Sequence, residues 1–346
     1  VIKAVDEHAD LLRSATASAG NDHRLGANEA PPAIISIFLG EQLTDIIDQI
    51  EAGEAKSSKN SNFIKIGVDT LPPLPCDVTD RNRTSPFAFT GNKFEFRAAG
   101  SSQSCANPNI ILNTIVAEAF DEISTQLETL SKADFQKGLQ KILQNIVKKH
   151  KKVIFNGDGY SDEWQREAAK RGLLNLKSTP DALPLLKTEE NIALFERHGV
   201  LSRAEIESRV DIVLENYSKI LHIEALTLIE MMNREVIPAI SEYTDRLCTA
   251  LINKRKLGIK LDEHADTEII ARLSAADGEI YKLTSELKMA VMTAEKIPNM
   301  LERSRMYHDT VLRLMNDIRK YSDSAEAVVS KDCWPYPSYG ELLFSI

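Results

Sequence analysis

The stretch NKFEFRAAGSSQSCANPNIILNTIVAEA, residues 92–119, contains both kinds of secondary structure that we expect in this chain. Its first part alternates between phenylalanine and charged residues, and because strand side chains repeat with period two, Lys93, Glu95 and Arg97 share one face of a predicted strand. From about residue 109 onward, apolar residues recur at spacings of three and four, which predicts a long helix. A strand that leads into long helices favours an α+β fold.

Upstream of this stretch the predicted elements are mixed. The spacing of apolar residues predicts helices through about residue 14 and over 33–52, with an irregular segment of small residues between them. Residues 51–62 are small and polar, which is typical of a surface loop. The following FIKIGVD, residues 63–69, alternates apolar and polar positions and predicts a half-buried strand.

Downstream of the stretch the pattern is almost wholly helical. Ser131 and Asp134 form a predicted helix start, and Ser202 with Glu205 is the pattern of a capping box that opens a long helix. Two more long helical segments are separated by Pro298. We therefore expect an antiparallel helical bundle in the second half of the chain.

Composition limits the classes of protein that fit. The chain has 346 residues, 43% hydrophobic and 27% charged, and its net charge of −9 argues against a general nucleic-acid surface. It shows neither a bilayer-spanning apolar run nor a signal peptide, so we expect a cytoplasmic protein without a membrane partner. Its 4 cysteines lie far apart and suit a reducing compartment. Because Val1 already lies inside a periodic apolar pattern, we expect a piece of a longer protein.

Residues 21–97 hold an unusual density of charged residues in two loops and one strand. The candidate functional residues are Arg24, Glu29, Arg81, Arg83, Lys93, Glu95 and Arg97. Basic residues that converge around one acid suggest an anionic ligand, with or without a divalent cation. A salt-bridge ladder along the strand and an ordinary surface loop explain the same residues equally well, so the pattern alone leaves both open.

The order of the motifs narrows this choice. HRLGANEAPPA (23–33), RNRTSPFAF (81–89) and the stretch at 92–119 resemble, in this order, the C-terminal half of the glutamine synthetase catalytic domain. IFNGDGYSDEW (154–164) and WPYPSYGELLF (334–344), together with FTGNKFEFR, resemble only the long type III branch of that family.

The resemblance implies an organisation for the chain. Residues 1–132 would be the C-terminal part of the catalytic domain, with antiparallel strands and helices, and residues 133–346 a helical C-terminal domain with an aromatic tail. The N-terminal half would lie outside this chain. Members of the branch form large rings, so a homo-oligomer, a dodecamer by resemblance, is expected.

The resemblance also implies ATP-dependent ligation of ammonia to glutamate, through γ-glutamyl phosphate, with Mg²⁺ or Mn²⁺ as cofactor. Glu29 would close the site against water and accept a proton from ammonium. The implied roles are catalysis by Glu29 and Arg83, glutamate binding by Arg24 and Arg97, ATP or phosphate binding by Arg81, Arg83 and Lys93, and metal binding by Glu95.

Two departures and two alternatives accompany this interpretation. The commoner branches carry a second phosphate-binding arginine where this chain has Ala88, so Arg81 or a residue outside the chain would replace it. Those branches also have an acid where this chain has Gly100, Ser101 and Ser102. The alternatives are a ligase of the same fold that joins glutamate to an amine, and a non-catalytic helical module for oligomerisation or regulation.

Overall fold

A computed structural model describes residues 1–27, 30–54 and 84–344, together with the backbone of 63–64 and 74–75. The chain divides into two compact units, Val1–Val213 and Leu214–Ile346. Within the described residues, none of the helices combines the length and the apolar character needed to cross a membrane.

The first unit combines helices with short strands. Its helices are α1 (Ile2–Glu7), α2 (Ala9–Ser14), α3 (Ala19–Arg24), α4 (Gly40–Ala52), α5 (Ala106–Glu128), α6 (Phe135–His150), α7 (Asp162–Lys170), α8 (Thr179–Ala182) and α9 (Glu189–Arg197). Its strands are β1 (Ile37–Phe38), β2 (Phe63–Ile64), β3 (Leu74–Pro75), β4 (Phe87–Phe89) and β5 (Phe94–Phe96). The chain is thus mostly helical with little strand, which is compatible with the expected α+β class.

The second unit is described by helices alone. α10 (Arg203–Met231) begins in the first unit and continues into the second, which also contains α11 (Ile237–Lys256), α12 (His264–Glu295), α13 (Met300–Met306), α14 (Arg313–Glu326) and α15 (Tyr339–Phe344). Two π-helical turns, at 232–236 and 307–312, join α10 to α11 and α13 to α14. Pro238 lacks the N–H that would reach the carbonyl of Arg234, which accounts for the first of these turns.

The larger sheet has the strand order β1-β4-β5. β1 is parallel to β4, while β4 is antiparallel to β5 with Ala88 opposite Glu95. Phe87 stacks on Phe94 with ring centroids 5.3 Å apart, and Phe96 meets Phe87 edge to face at 5.9 Å. The predicted strand face of phenylalanines is confirmed, and it turns the charged face of β5 away from this aromatic packing.

Two expectations upstream of the sheet are wrong. The predicted helix at 33–52 begins only at Gly40, because the buried isoleucines just before it form extended chain that includes β1. β-branched residues after the Pro31–Pro32 pair favour strand over helix. The segment between the first two predicted helices is not wholly irregular, since it contains α3, which Ser18 caps by accepting a hydrogen bond from the Asn21 N–H.

The motif at 154–164 extends the sheet from a distant part of the chain. Ile154 forms a parallel bridge with Ile37, and the Phe155 N–H donates to the Ile37 carbonyl at 2.9 Å. Asn156 Oδ1 accepts from two backbone N–H groups, those of Leu39 and Gly40, each at 3.0 Å. The compact unit therefore continues past residue 132, and the division of the chain at that residue stays a prediction.

Gly159 gives this contact a test. A methyl group at Gly159 would overlap the carbonyl oxygen of Thr84, which is backbone and cannot swing away. We expect Gly159→Ala to lower the free energy of unfolding by about 1–3 kcal/mol, the usual cost of overpacking. Urea unfolding of the chain measures it. Gly20→Ala is the control, because a methyl group at Gly20 meets nothing within 4 Å, and it should leave stability unchanged or slightly raised.

In the second unit α12 packs against both α11 and α14. Lys254, near the end of α11, pairs with Asp266, near the start of α12, at 2.6 Å. Arg272, early in α12, donates to the Ser324 hydroxyl, late in α14, at 3.0 Å. Both contacts require neighbouring helices to run in opposite directions.

Candidate functional site

The charged face of β5 brings three of the predicted site residues together. Lys93 Nζ lies 3.3 Å from Glu95 Oε1, and Arg97 Nη2 lies 3.1 Å from Glu95 Oε2. The Arg97 backbone N–H donates to the Pro86 carbonyl at 2.7 Å, which fixes the strand beneath the row. The result is one carboxylate held between two cations, the arrangement expected for either the ladder or an anion-binding face.

Electrostatics keep Glu95 ionised. The hydrogen bond from Arg97, and after it that from Lys93, hold the pKa of the Glu95 carboxyl below its ordinary value. The three side chains differ in exposure, at 64% for Lys93, 37% for Glu95 and 14% for Arg97. The outer end of the row is therefore open to a ligand, whereas Arg97 is held against the protein.

Arg24 lies at the end of the same strand. Its guanidinium donates to the Arg97 carbonyl at 3.1 Å through Nη2, and to the Ala98 carbonyl at 3.1 Å through Nη1. Nη1 also lies 3.1 Å from Asn21 Oδ1. The predicted site residue is thus beside Arg97, but these donors contact the protein, so Arg24 positions the end of β5.

Sequence reasoning missed the residues that hold α3 beside β5. Buried Asn21 donates through Nδ2 to the Thr16 and Ala98 carbonyls at 2.8 and 2.9 Å. Asp22 accepts from the N–H and hydroxyl of Thr179, at 2.7 and 2.9 Å. Burial raises the pKa of the Asp22 carboxyl, while Thr179 and the charge of Arg13 oppose that shift. A buried arginine inside an apolar helix was the one signal of this network in the sequence.

Glu29, Arg81 and Arg83 lie outside the described residues. The chain on either side of Glu29 is well anchored, because the Gly26 N–H donates to the Pro31 carbonyl at 2.9 Å, and Gly26 has a φ of 76° that favours glycine. On the C-terminal side of Arg83, buried Ser85 donates to the Ser36 carbonyl at 3.3 Å. The roles of these three residues stay predictions.

Comparison with known proteins agrees with the motif order. A family model described as "Glutamine synthetase C-terminal domain" matches residues 138–255. Along 100% of its length the chain is 42% identical to the glutamine synthetase of Butyrivibrio fibrisolvens and 36% identical to that of Bacteroides fragilis. Along 99% it is 40% identical to the Type-3 glutamine synthetase of Dictyostelium discoideum. The chain belongs to the glutamine synthetase family.

Its predicted resemblance to the type III branch is thereby confirmed. The chain covers 49%, 48% and 49% of the three relatives, respectively, and so spans about half the length of the curated relatives it matches. The activity, substrates and assembly of a whole glutamine synthetase are accordingly matters for proposal.

The departure at Ala88 has a structural consequence. Ala88 is fully buried in the central strand β4, directly opposite Glu95. Directly opposed residues of an antiparallel pair project to the same face of the sheet. An arginine at this position would bury a charge, so the second phosphate-binding arginine of the commoner branches cannot be accommodated here without rearrangement.

Glu95 suits a divalent cation as a single ligand. Its ionised carboxylate is a hard oxygen donor, the type that Mg²⁺ and Mn²⁺ prefer. The described part of the chain holds no group of three or more His, Cys, Asp or Glu residues able to hold a metal ion. Magnesium is commonly bound through one or two carboxylates, with water and substrate phosphates as the other ligands, and one carboxylate is what this face supplies.

Proposed function

We propose that this chain forms part of an ATP-dependent glutamine synthetase, which ligates ammonia to the γ-carboxylate of glutamate through γ-glutamyl phosphate. The observation that carries the proposal is the charged face of β5 in a chain that aligns along its whole length with proteins named glutamine synthetase. A helical module without catalysis would not need two cations and an exposed carboxylate in one row.

The chemistry explains the need for these charges. A carboxylate resists attack by ammonia because oxide is a very poor leaving group. Phosphorylation of the γ-carboxylate replaces oxide with phosphate, after which ammonia attacks the carbonyl carbon and phosphate departs with the carboxylate oxygen. Phosphoryl transfer depends chiefly on positioning and on neutralising charge, both of which Arg and Lys side chains supply.

On this proposal the residues of the face divide the work. Lys93, the most exposed of the row, binds phosphoryl oxygens together with Arg83 and Arg81. Arg97 binds a carboxylate of glutamate, and Arg24 holds the main chain of β5 so that Arg97 is correctly placed. Glu95 would hold Mg²⁺ or Mn²⁺, which would neutralise the charge of the transferring phosphoryl group.

The proposal includes the larger protein. Because the chain spans about half the length of its relatives, we propose that the rest of the site is supplied by a further half of the polypeptide. We also propose that the whole protein is a cytoplasmic homo-oligomer, a dodecamer as in the type III branch, with residues 133–346 as its helical C-terminal domain.

One assay tests the need for that further half. We expect residues 1–346 alone to form no γ-glutamyl hydroxamate from glutamate, hydroxylamine, ATP and Mn²⁺, because one carboxylate leaves most of a metal's coordination sphere unfilled. The full-length protein, assayed beside it, should form the product. Comparable turnover by residues 1–346 would contradict the division of the site, and inactivity of the full-length protein would contradict the proposed function.

A further inference from the structure

The second unit contains a cleft of about 440 Å³, remote in sequence from the charged face of β5. Its walls come from α10, the end of α12, α13 and the π-helical turn at 307–312. π-helical turns inside α-helices are frequently associated with functional sites. The volume falls in the range of small-molecule sites, and none of the roles considered above uses this cleft.

The floor of the cleft is rigid. Ser304, which is fully buried, donates to the Leu214 carbonyl at 3.1 Å, and its hydroxyl lies 3.1 Å from that of Ser218. Two serines at this crossing let α10 and α13 approach closely, which places the larger side chains of both helices around an open space. The pocket is therefore formed by the packing of the unit itself.

The cationic side of the cleft is Arg303. Its Nε–H donates to the Ile297 carbonyl at 2.8 Å, which orients the guanidinium plane. Its two terminal nitrogens make no hydrogen bond or ion pair with any residue in the described part of the chain. A guanidinium with an oriented fork of donors is suited to bidentate binding of a carboxylate.

The anionic side of the cleft is Glu295. Its Oε1 lies 3.7 Å from His222 Nε2, too far for a hydrogen bond, and 57% of its side chain is exposed. On the other edge of His222, Nδ1 lies 2.9 Å from the hydroxyl of buried Tyr307. Burial raises the pKa of Tyr307, the charge of Glu295 raises it further, and Arg303 opposes both. Both charges thus act on one hydroxyl from within the cleft.

The charges of the walls balance. Lys219 is already paired with Glu215 at 2.7 Å, so the groups left for a ligand are the guanidinium of Arg303 and the carboxylate of Glu295. An anion alone would face Glu295, and a cation alone would face Arg303. A molecule that carries both charges a few ångströms apart satisfies the two groups together, and exposed Ile223 offers an apolar wall.

The geometry points to a binding site for a free α-amino acid with an aliphatic side chain, held by its carboxylate at Arg303 and by its ammonium at Glu295. This ligand class follows from the two opposed charges and the apolar wall. The site is separate from the proposed glutamate site, so its occupant would regulate or stabilise the protein and would not be consumed.

Calorimetry on residues 1–346 tests the proposal with L-leucine as the probe. 4-Methylpentanoate lacks only the ammonium of leucine, and 3-methylbutylamine lacks only its carboxylate. We expect leucine to bind and each analogue to bind at least about tenfold more weakly, the loss typical of a missing charge-assisted hydrogen bond. Equal binding of 4-methylpentanoate, or no binding of leucine by folded protein at about 10 mM, would overturn the proposal.

Variants locate the site. Arg303→Gln and Glu295→Gln should each weaken leucine binding at least about tenfold. Exposed Arg305, on the same helix but not among the lining residues, provides the control Arg305→Gln, which should bind like the parent. Thermal melts confirm folding, and Glu295→Gln stays informative if Arg303→Gln unfolds, because Glu295 is at the surface. Unchanged binding by a folded Glu295→Gln would contradict the assignment.

Discussion

Glu29→Ala in the full-length protein is expected to reduce glutamine formation by about 10²–10⁴-fold, the range typical of a lost general base. Glu29 lies outside the described residues, and its role comes from the resemblance. The structure supplies the setting: Arg24, which precedes it, is bound to the main chain of β5, and Gly26 is hydrogen-bonded to Pro31, which follows it. Both ends of the segment that carries Glu29 are thus fixed close to the proposed glutamate site.

The second activity of the protein separates the possible roles of Glu29. If Glu29 accepts a proton from ammonium and shields γ-glutamyl phosphate, then glutamate-dependent ATP hydrolysis without ammonia should fall much less than glutamine formation. It could even rise, because water would reach the intermediate. Asp48→Ala removes an exposed carboxylate from α4 and serves as the control. An equal loss of both activities in Glu29→Ala would place Glu29 in phosphoryl transfer or folding instead.

Substitutions on the β5 face should have the next largest effect. Glu95→Gln is expected to raise the metal concentration needed for half-maximal activity, because an amide is a weaker ligand for a hard cation. Arg97→Lys is expected to raise the KM for glutamate about tenfold and the KM for ATP much less, because lysine cannot make a bidentate contact with a carboxylate. Steady-state kinetics against metal, glutamate and ATP measure all three effects.

The salt-bridge ladder makes the opposite prediction for these variants. If the row of Lys93, Glu95 and Arg97 only stabilises the sheet, then both variants should melt at a lower temperature while the kinetics per folded molecule stay unchanged. Glu189→Gln is a matched control, because Glu189 accepts two hydrogen bonds from Arg203 in an exposed pair, at 2.6 and 2.9 Å. It breaks a comparable ion pair elsewhere and should leave each KM as it was.

Local periodicity predicted the parts of the structure that depend on neighbours in sequence. Alternation along β5 placed Lys93, Glu95 and Arg97 in one row, and the Ser202–Glu205 capping box is present, with the Ser202 N–H donating to Glu205 Oε2 at 2.8 Å. Helix α5 was expected from residue 109 and begins at Ala106. In these cases the side-chain pattern and the backbone conformation have the same cause.

Contacts between distant segments were not predictable in this way. The pairing of Ile154 with Ile37 joins residues more than a hundred positions apart, and nothing in either segment specifies the partner. The isoleucines before Gly40 fit a helical spacing as well as a buried strand, and only the neighbouring β4 decides between them. Arg24 was expected to bind a ligand, but backbone carbonyl acceptors leave no signature in a sequence.

The fate of a carboxylate oxygen tests the central claim most directly. The full-length protein is incubated with ATP, ammonium and glutamate labelled with ¹⁸O in its γ-carboxylate, and the inorganic phosphate is analysed by mass spectrometry. Formation and aminolysis of γ-glutamyl phosphate predicts one ¹⁸O atom in each phosphate, with one glutamine formed for each. Unlabelled phosphate would contradict the account, and so would transfer of label that occurs only when an alkylamine replaces ammonium, the result that identifies a glutamate–amine ligase.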